Sequence, residues 1–421
     1  MFWMLKQLGN RIVRTGNLIV TDSRGDRHRF GNGDGKPIHI ALRTTRAERS
    51  ILLNPANAVP EAYMNGELDI VEGDLLDFIH FAYANLDLVE AHTPLMRAAE
   101  TGRLLAKPLH QWNPVSRSRA NVQHHYDLSE ELYRLFLDED MQYSCAYFER
   151  PDLTLDEAQK AKKRHIAAKL ALKPGLSILD IGSGWGGLGI YLAQHFEADV
   201  LGVTLSDEQH RVATERAHAL GFDRHVHFEI RDYRSLQERF DRIVSVGMFE
   251  HVGVNHYRTF FETCAKLLKP DGVMVLHSIG RSGPPAATAP FIRKHIFPGG
   301  YIPALSEVLP AIERSGLMVT DVEILRLHYA ETLRHWRERF AANRERAKAL
   351  YDERFCRMWE FYLAASEGAF RWQDLMVFQI QLTRRNDTLP ITRDYIHEVE
   401  MQLADKPEPR KARTPRKHKK A

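Results

Sequence analysis

The sequence predicts an α/β protein, with a mostly parallel sheet covered by helices on both faces and a smaller mixed α/β domain ahead of it. Three observations carry that reading. From about residue 175 short apolar runs alternate with helical stretches, and a glycine loop stands between the first run and the first helix. The first hundred residues instead carry short mixed patterns with no catalytic constellation.

In order along the chain, "KPIHIALRTT" and "LDIVEGDLLDFI" each read as a strand followed by a helix, with "FGNGDGKP" as a turn. A looser link spans Leu104–Ser129, where Pro108, Pro114 and several Ser, Asn and Arg residues interrupt any helical period. The runs "LSILDIG", "ADVLGVTL", "HVHFEI", "FDRIVSV" and "GVMVLHSI" then alternate with helical stretches such as "SDEQHRVATERAHALG" and "HYRTFFETCAKLLK". That rhythm implies βαβ units and a doubly wound sheet. "GLMVTDVEIL" and "DLMVFQIQLT" add two strands, for seven in all.

Two insertions interrupt the later part, Gly280–Glu307, rich in Pro and Gly, and the strongly helical Tyr329–Phe370. Insertions at one end of such a sheet commonly build a substrate cover. They hold Phe291, Phe297, Tyr301, Trp336, Phe340, Trp359, Phe361, Tyr362, Phe370 and, just beyond, Trp372, which could line an apolar ligand passage or form an ordinary core. Their dense Arg/Lys face could meet an anionic surface. The boundaries read as an N-terminal domain over 1–110, for lipid binding or dimerisation, a catalytic domain over 111–404, and a basic disordered tail over 405–421.

Composition narrows the classes. At 421 residues, 44% hydrophobic and 27% charged, the chain is an ordinary globular protein with no apolar run approaching a membrane span. The N-terminus lacks a continuous apolar core and a small-residue cleavage site, so a cytoplasmic protein is expected. Cys145, Cys264 and Cys356 lie far apart, which argues against a disulfide framework or structural zinc, and no metal site is expected. The net charge of +3 is uneven: the tail has eight Lys/Arg against two acids, leaving 50 against 53 elsewhere. Such a tail is either inert or attracted to a polyanion, a lipid surface or nucleic acid.

The glycine loop "ILDIGSGWGG" places Gly182, Gly184 and Gly187 in G-x-G-x-x-G spacing after a strand and before a helix, where backbone N–H groups can approach a ligand. A dinucleotide site would carry an acid at the end of the second strand, yet Thr204 stands there and Asp207 comes only after the next helix begins. Asp180 just before the loop, with Asp232 and Tyr233 after the third strand, suits a methionine-nucleoside that brings an amino group and no pyrophosphate.

At this point the motifs "HYDLS", "YSCAYFE", "LDIGSGWGG", "GVTLS-EQ", "DRIVSVGMFEHVG" and "LHSIG", in this order, resemble the cyclopropane fatty acid synthase family. These are S-adenosylmethionine (SAM)-dependent lipid methyltransferases and include the mycolic acid cyclopropane synthases. The resemblance covers about residues 115–395. It implies a Rossmann-like SAM-dependent methyltransferase fold with a seven-stranded sheet. It implies SAM held by Tyr143, Ser144, the loop from Asp180 to Gly187, Thr204, Leu205, Ser206, Gln209, Asp232 and Tyr233. It also implies a second small ligand, bicarbonate, held by Glu250, His277, Tyr329 and the backbone N–H groups of Cys145 and Ile279. The implied substrates are unsaturated acyl chains of membrane phospholipids. A homodimer peripheral to the inner face of the membrane, with no nucleic-acid partner, completes the expectation.

The chemistry gives those residues a purpose. When an unactivated cis double bond attacks a sulfonium methyl, a carbocation forms on the chain; ring closure then needs a base and the exclusion of water. Each residue also has a plainer reading. Glu250 could serve as a helix-cap partner, His277 as a hydrogen-bonded core histidine and Tyr329 as a packing tyrosine. Cys145 has no base partner that the sequence can name, so its backbone N–H is a better candidate than its thiol. His251 reads as structural. Two alternatives stay open: a C-methyltransferase that leaves a methyl or methylene branch, and a lipid-binding protein without turnover.

Overall fold

The computed structural model describes residues 2–92 and 128–404. The expected link, most of the "HYDLS" motif and the basic tail therefore lie outside the described residues.

The chain opens with α1 (Phe2–Ile12), β1 (Leu18–Thr21), β2 (Arg27–Phe30), β3 (Ile38–Leu42), α2 (Thr45–Leu53), α3 (Pro55–Met64), β4 (Leu68–Glu72) and α4 (Leu75–His92). Thr44 caps α2 by accepting from the Ala47 N–H at 3.1 Å, and Pro55 opens α3 where a missing N–H costs nothing. The four strands form a sheet in the order β2-β1-β3-β4, with β1 and β3 parallel and the other pairs antiparallel. Every residue of β3 is buried, and the sheet's apolar side closes on Phe2, Phe30, Leu68, Phe78 and Phe81.

Next come α5 (Glu130–Arg134), α6 (Leu155–Lys169), β5 (Ser177–Ile181), α7 (Gly187–Phe196), β6 (Asp199–Thr204), α8 (Asp207–Leu220), β7 (Val226–Ile230), β8 (Phe240–Val246), α9 (Tyr257–Leu267) and β9 (Leu268–Arg281). The remaining elements are α10 (Leu305–Glu313), β10 (Met318–Leu325), α11 (His328–Ala342), α12 (Arg344–Leu350), α13 (Glu353–Trp372), β11 (Leu375–Thr383) and α14 (Asp394–Ala404). All seven apolar runs are strands of one sheet, ordered β10-β11-β9-β8-β5-β6-β7. The pairs β5–β6, β5–β8, β6–β7 and β8–β9 are parallel, and β10 runs antiparallel to β11. Two buried clusters form the core of this unit: one gathers Leu179, Ile243 and Leu276 with Phe249, Phe260 and Phe261, the other Ile178, Val200 and Val275 with Leu192 and Ala213. The chain order reverses at β5, the point in such sheets where ligands bind beyond the carboxyl ends of the strands.

The chain divides into two compact units. One comprises Met1–His110, Ala286–Gly300 and Tyr329–Leu375, the other Gln111–Pro285, Tyr301–His328 and Met376–Ala421. This division departs from the boundaries read in the sequence, because most of both insertions belongs with the N-terminal residues rather than with the seven-stranded sheet. The reason is visible in α13. Its apolar face packs on α3 and α4, Tyr83 donates to the Ala365 carbonyl at 3.1 Å, and the half-buried Arg357 guanidinium donates to the carbonyls of Tyr63 and Leu68 and to Asp69.

The aromatic residues of the insertions pack within that unit. Phe291 meets Phe361 edge-on at 5.3 Å, Phe297 meets Tyr362 at 6.0 Å, and Trp372 stacks on His80 at 4.2 Å. Tyr301 instead belongs to the sheet unit, its hydroxyl donating to Glu307 at 2.6 Å. Much of the basic face of α11–α13 is committed internally. Arg334 pairs with Glu331 and Glu338, Arg337 and Arg371 with the buried Glu367, and Arg344 with Glu353 and Glu360.

Candidate active site

The loop after β5 gives each glycine a different task. Gly182 has φ +85, and a Cβ there would press on the Met248 side chain at 2.7 Å, so this glycine lets the β8 end approach. A Cβ on Gly187 would overlap Asp140 Oδ2 and Gln142 Nε2. The third motif glycine thus makes room for protein groups. Gly184, at φ +53, faces nothing within 4 Å, and it is the position where a ligand can reach the backbone. Gly186, outside the motif spacing, adopts φ 82 as the N-cap of α7. Beside the loop Asp180 is buried, its Oδ2 has no hydrogen-bond partner, and burial pushes its carboxyl up to about 7. An amino group is a fitting partner for that atom.

At the end of β6, Thr204 Oγ1 donates to Gln209 Oε1 at 3.1 Å and accepts from the Ser206 N–H at 3.2 Å, while Ser206 caps α8 by accepting from the Gln209 N–H. Thr204, Ser206 and Gln209 are buried and Leu205 is half-buried, so this turn presents hydroxyl and amide groups where a dinucleotide enzyme presents an acid. After β7, burial opposes the charge of Asp232, but hydrogen bonds from Arg234 outweigh it and hold the carboxyl below its ordinary range. Tyr233 packs edge-on against Phe260 at 5.5 Å.

Tyr143 and Ser144 lie in the segment between α5 and α6. The Tyr143 ring stands edge-on to Tyr133 at 5.2 Å, and Ser144 Oγ accepts from Lys162 Nζ at 2.8 Å. The next residue, Cys145, is buried with its thiol on the Ala146 carbonyl.

Glu250 lies in the short turn that follows β8, and His277 stands within the neighbouring strand β9, level with the last residue of β8. Val246 pairs with His277, and the Gly247 N–H donates to the His277 carbonyl at 3.0 Å. Glu250 is held in a short turn by the Ile279 N–H, which donates to Oε1 at 2.7 Å. That amide, expected to face bicarbonate, donates to the Glu250 carboxyl. Glu250 Oε2 is buried without a hydrogen-bond partner, and burial pushes the carboxyl up to about 7. Burial, reinforced by Lys162 and Lys169, drives His277 well below its ordinary value, so the ring is neutral. The Gln379 amide nitrogen stands 3.1 Å from Nδ1, and in this orientation it donates there and assigns the ring proton to Nε2. The adjacent His251 is pushed down to about 4 by burial. Tyr329 belongs to the other unit, buried against Trp336 at 5.8 Å and Phe370 at 4.9 Å.

A family model described as mycolic acid cyclopropane synthetase matches residues 114–380. The chain is also 38% identical over 350 residues to a cyclopropane-fatty-acyl-phospholipid synthase of Escherichia coli (strain K12), covering 83% of this chain and 88% of that one. The chain belongs to this family. Like its members, it is a SAM-dependent methyltransferase. Cyclopropane mycolic acid synthase 3 of Mycobacterium tuberculosis is 39% identical over 264 residues, 60% of this chain and 92% of that one. Among solved structures, the cyclopropane synthase MmaA2 from Mycobacterium tuberculosis aligns with TM-score 0.61 at 35% identity, covering 64% of this chain and 99% of that one. The mycolic acid cyclopropane synthase CmaA1, complexed with SAH and CTAB, aligns with TM-score 0.60 at 37% identity, covering 64% and 98%. A second model, a domain of unknown function (DUF7884), matches residues 14–92.

Sequence reasoning missed the buried polar layer behind the site. The sequence assigns no role to helix α6, "LDEAQKAKKRHIAAK", yet Gln159, Lys162, Lys163, His165 and Lys169 are all buried. Lys163 and Arg216 both pair with Asp140, and Arg216 donates to the Trp185 carbonyl of the glycine loop at 2.6 Å. The available signal was weak: small residues at Ala158, Ala161, Ala167 and Ala168 mark a helix that packs closely.

Proposed function

We propose that the protein is a cyclopropane fatty acid synthase that adds the methyl carbon of SAM across the cis double bond of unsaturated acyl chains in membrane phospholipids. The observation that carries this reading is the extent of the match to the Escherichia coli phospholipid synthase, 83% of this chain against 60% for the mycolic acid synthase.

The residues of the sheet unit fit both small molecules. Bound SAM would supply an electrophilic sulfonium methyl, with the open backbone at Gly184 and the partnerless Asp180 Oδ2 among the groups that hold it. Bicarbonate would supply the base for the methyl proton. Glu250, titrating near neutrality, can take up or release a proton at Oε2, and His277 can donate from Nε2, so bicarbonate meets a donor and a group able to hold the proton it removes. Tyr329 and the Cys145 N–H come to this arrangement through the family resemblance alone. Burial of Glu250 and His277 also keeps water from the cation that ring closure must intercept.

A second reading has its own support: 43% identity over 256 residues to a probable fatty acid methyltransferase of Pseudomonas putida, 59% of this chain and 65% of that one. Mass spectrometry of lipids from cells expressing the protein separates the two. A gain of one CH2 with loss of reducible unsaturation is the expected result, and the same gain with unsaturation retained would establish a methylene branch instead.

Peripheral attachment to the inner membrane face and a homodimer belong to the same proposal; no described helix is long and apolar enough to cross a membrane. The eight Lys/Arg of residues 405–421 supply the attraction. Removing them should weaken co-sedimentation with anionic vesicles at low salt, the difference fading at high salt, while activity on detergent-dispersed lipid is kept. Unchanged low-salt binding would rule the tail out as an anchor. Light scattering in solution tests the dimer.

A further inference from the structure

The geometry points to Lys162 as the residue that positions SAM's methionyl carboxylate, acting through the Ser144 hydroxyl. The inference rests on the methyltransferase reading and extends it to a helix that no binding motif touches.

Lys162 is fully buried, with 0% exposure, and a buried ammonium is costly unless something answers its charge. The neighbouring lysines of α6 are answered by carboxylates, Lys163 by Asp140 and Lys169 by Glu323 and Asp321. Lys162 is different. Its Nζ donates to two neutral oxygens, Gln142 Oε1 at 2.5 Å and Ser144 Oγ at 2.8 Å; Asp138 and Asp140 act on its charge from further away, and among the described residues no carboxylate lies within ion-pair distance of it.

Asp180 is the mirror case. It is a buried carboxyl with a partnerless Oδ2, close enough to Lys162 for their charges to interact yet too far for direct pairing. A buried cation and a buried acid, neither satisfied by the other, match a ligand that carries both an ammonium and a carboxylate. The methionyl end of SAM is such a zwitterion, and its adenosine end carries no anion.

The hydrogen-bond direction decides how the lysine acts. Because Nζ donates to Ser144 Oγ, it occupies a lone pair there and turns the hydroxyl proton outward as a donor. A carboxylate accepts such a proton, whereas an ammonium could not. The lysine is itself held in place: Gln142 Nε2 donates to Asp140 Oδ2 at 3.0 Å, and Asp140 is fixed by Lys163 and Arg216. Lys162 thus supplies the field and Ser144 the contact.

Calorimetry on the full chain with two probes, S-adenosylhomocysteine and its decarboxylated analogue, tests the assignment. Lys162→Met should weaken S-adenosylhomocysteine by at least ~30-fold, the scale of losing a buried charge-assisted contact, and leave the decarboxylated analogue within about twofold. Ser144→Ala should shift the same ratio in the same direction, and the double variant should lose less than the sum, since the two act as a unit. Equal weakening of both probes would reduce Lys162 to a structural role and overturn the inference, as would no weakening of either. If Lys162→Met fails to fold, Ser144→Ala decides alone, and an unchanged ratio there overturns it. A wild type that binds neither probe would instead sink the methyltransferase reading, a different failure visible before any substitution is made.

Discussion

Glu250→Gln is expected to bind SAM normally while ring formation falls by ~100-fold or more, the usual scale for losing acid–base function. The amide keeps the shape and can still accept from the Ile279 N–H, but it cannot exchange a proton through the second oxygen, the one the protein leaves without a partner. Removing bicarbonate should slow the wild type, and slow the variant proportionately less, because groups acting as a unit are not additive. Cyclopropane formation by both proteins in carbon-dioxide-free buffer, with and without added bicarbonate, is the measurement. Near-normal turnover by Glu250→Gln would reject this carboxyl as part of the base, and a wild type indifferent to bicarbonate would remove bicarbonate from the mechanism.

The same substitution carries a stability signature. Burial raises the Glu250 carboxyl from its ordinary 4.5 to about 7, so the folded protein favours the protonated group. Its stabilising contribution is complete at low pH and is lost as pH rises through about 7, a cost on the order of 3 kcal/mol on the alkaline side. Glu250→Gln should therefore gain stability relative to the wild type at pH 8 and lose that advantage at pH 4, read from thermal unfolding at both. A gap that does not change with pH would show that the carboxyl is not desolvated as its position implies.

Gly184→Val is expected to abolish SAM binding, a loss beyond ~100-fold, without unfolding the sheet. At φ +53 a side chain is strained by about 1–2 kcal/mol, which a domain of this size tolerates. Among the described residues, chain neighbours aside, no atom lies within 4 Å of the position its Cβ would take, so the new side chain fills space open to a ligand and not the core. Gly187→Ala should show the opposite pattern, because its Cβ meets Asp140 and Gln142 and must break the strut behind the loop. Calorimetry with S-adenosylhomocysteine, alongside thermal unfolding, distinguishes them. Undiminished affinity in folded Gly184→Val would take the glycine loop out of the site.

Sequence by itself determined the seven strands and their order of appearance, because each is a short, largely apolar run bounded by turn residues, the central ones buried almost throughout. It also pointed to a candidate site, since Asp180, Thr204 and His277 interrupt or end such a run while Asp232 and Glu250 follow one closely, and polar residues there are costly unless they serve something. Local pattern reaches that far because strand periodicity and turn chemistry are properties of neighbours in the chain.

Only the tertiary structure decided the rest. That Gly184 has no described neighbour within 4 Å of a Cβ while Gly187 shelters Asp140, that the Ile279 amide donates to Glu250, and that among the described residues Lys162 meets no carboxylate at ion-pair distance depend on groups far apart in sequence. The polar helix α6 and the insertions show the same limit. A lysine-rich helix shows no role until its acidic partners Asp140 and Glu323 arrive from other segments, and an amphipathic insertion reads as a cover until α3 and α4 supply the surface that it buries. Burial of charge and choice of packing partner are set by long-range contacts, whose free energy no local window of sequence contains.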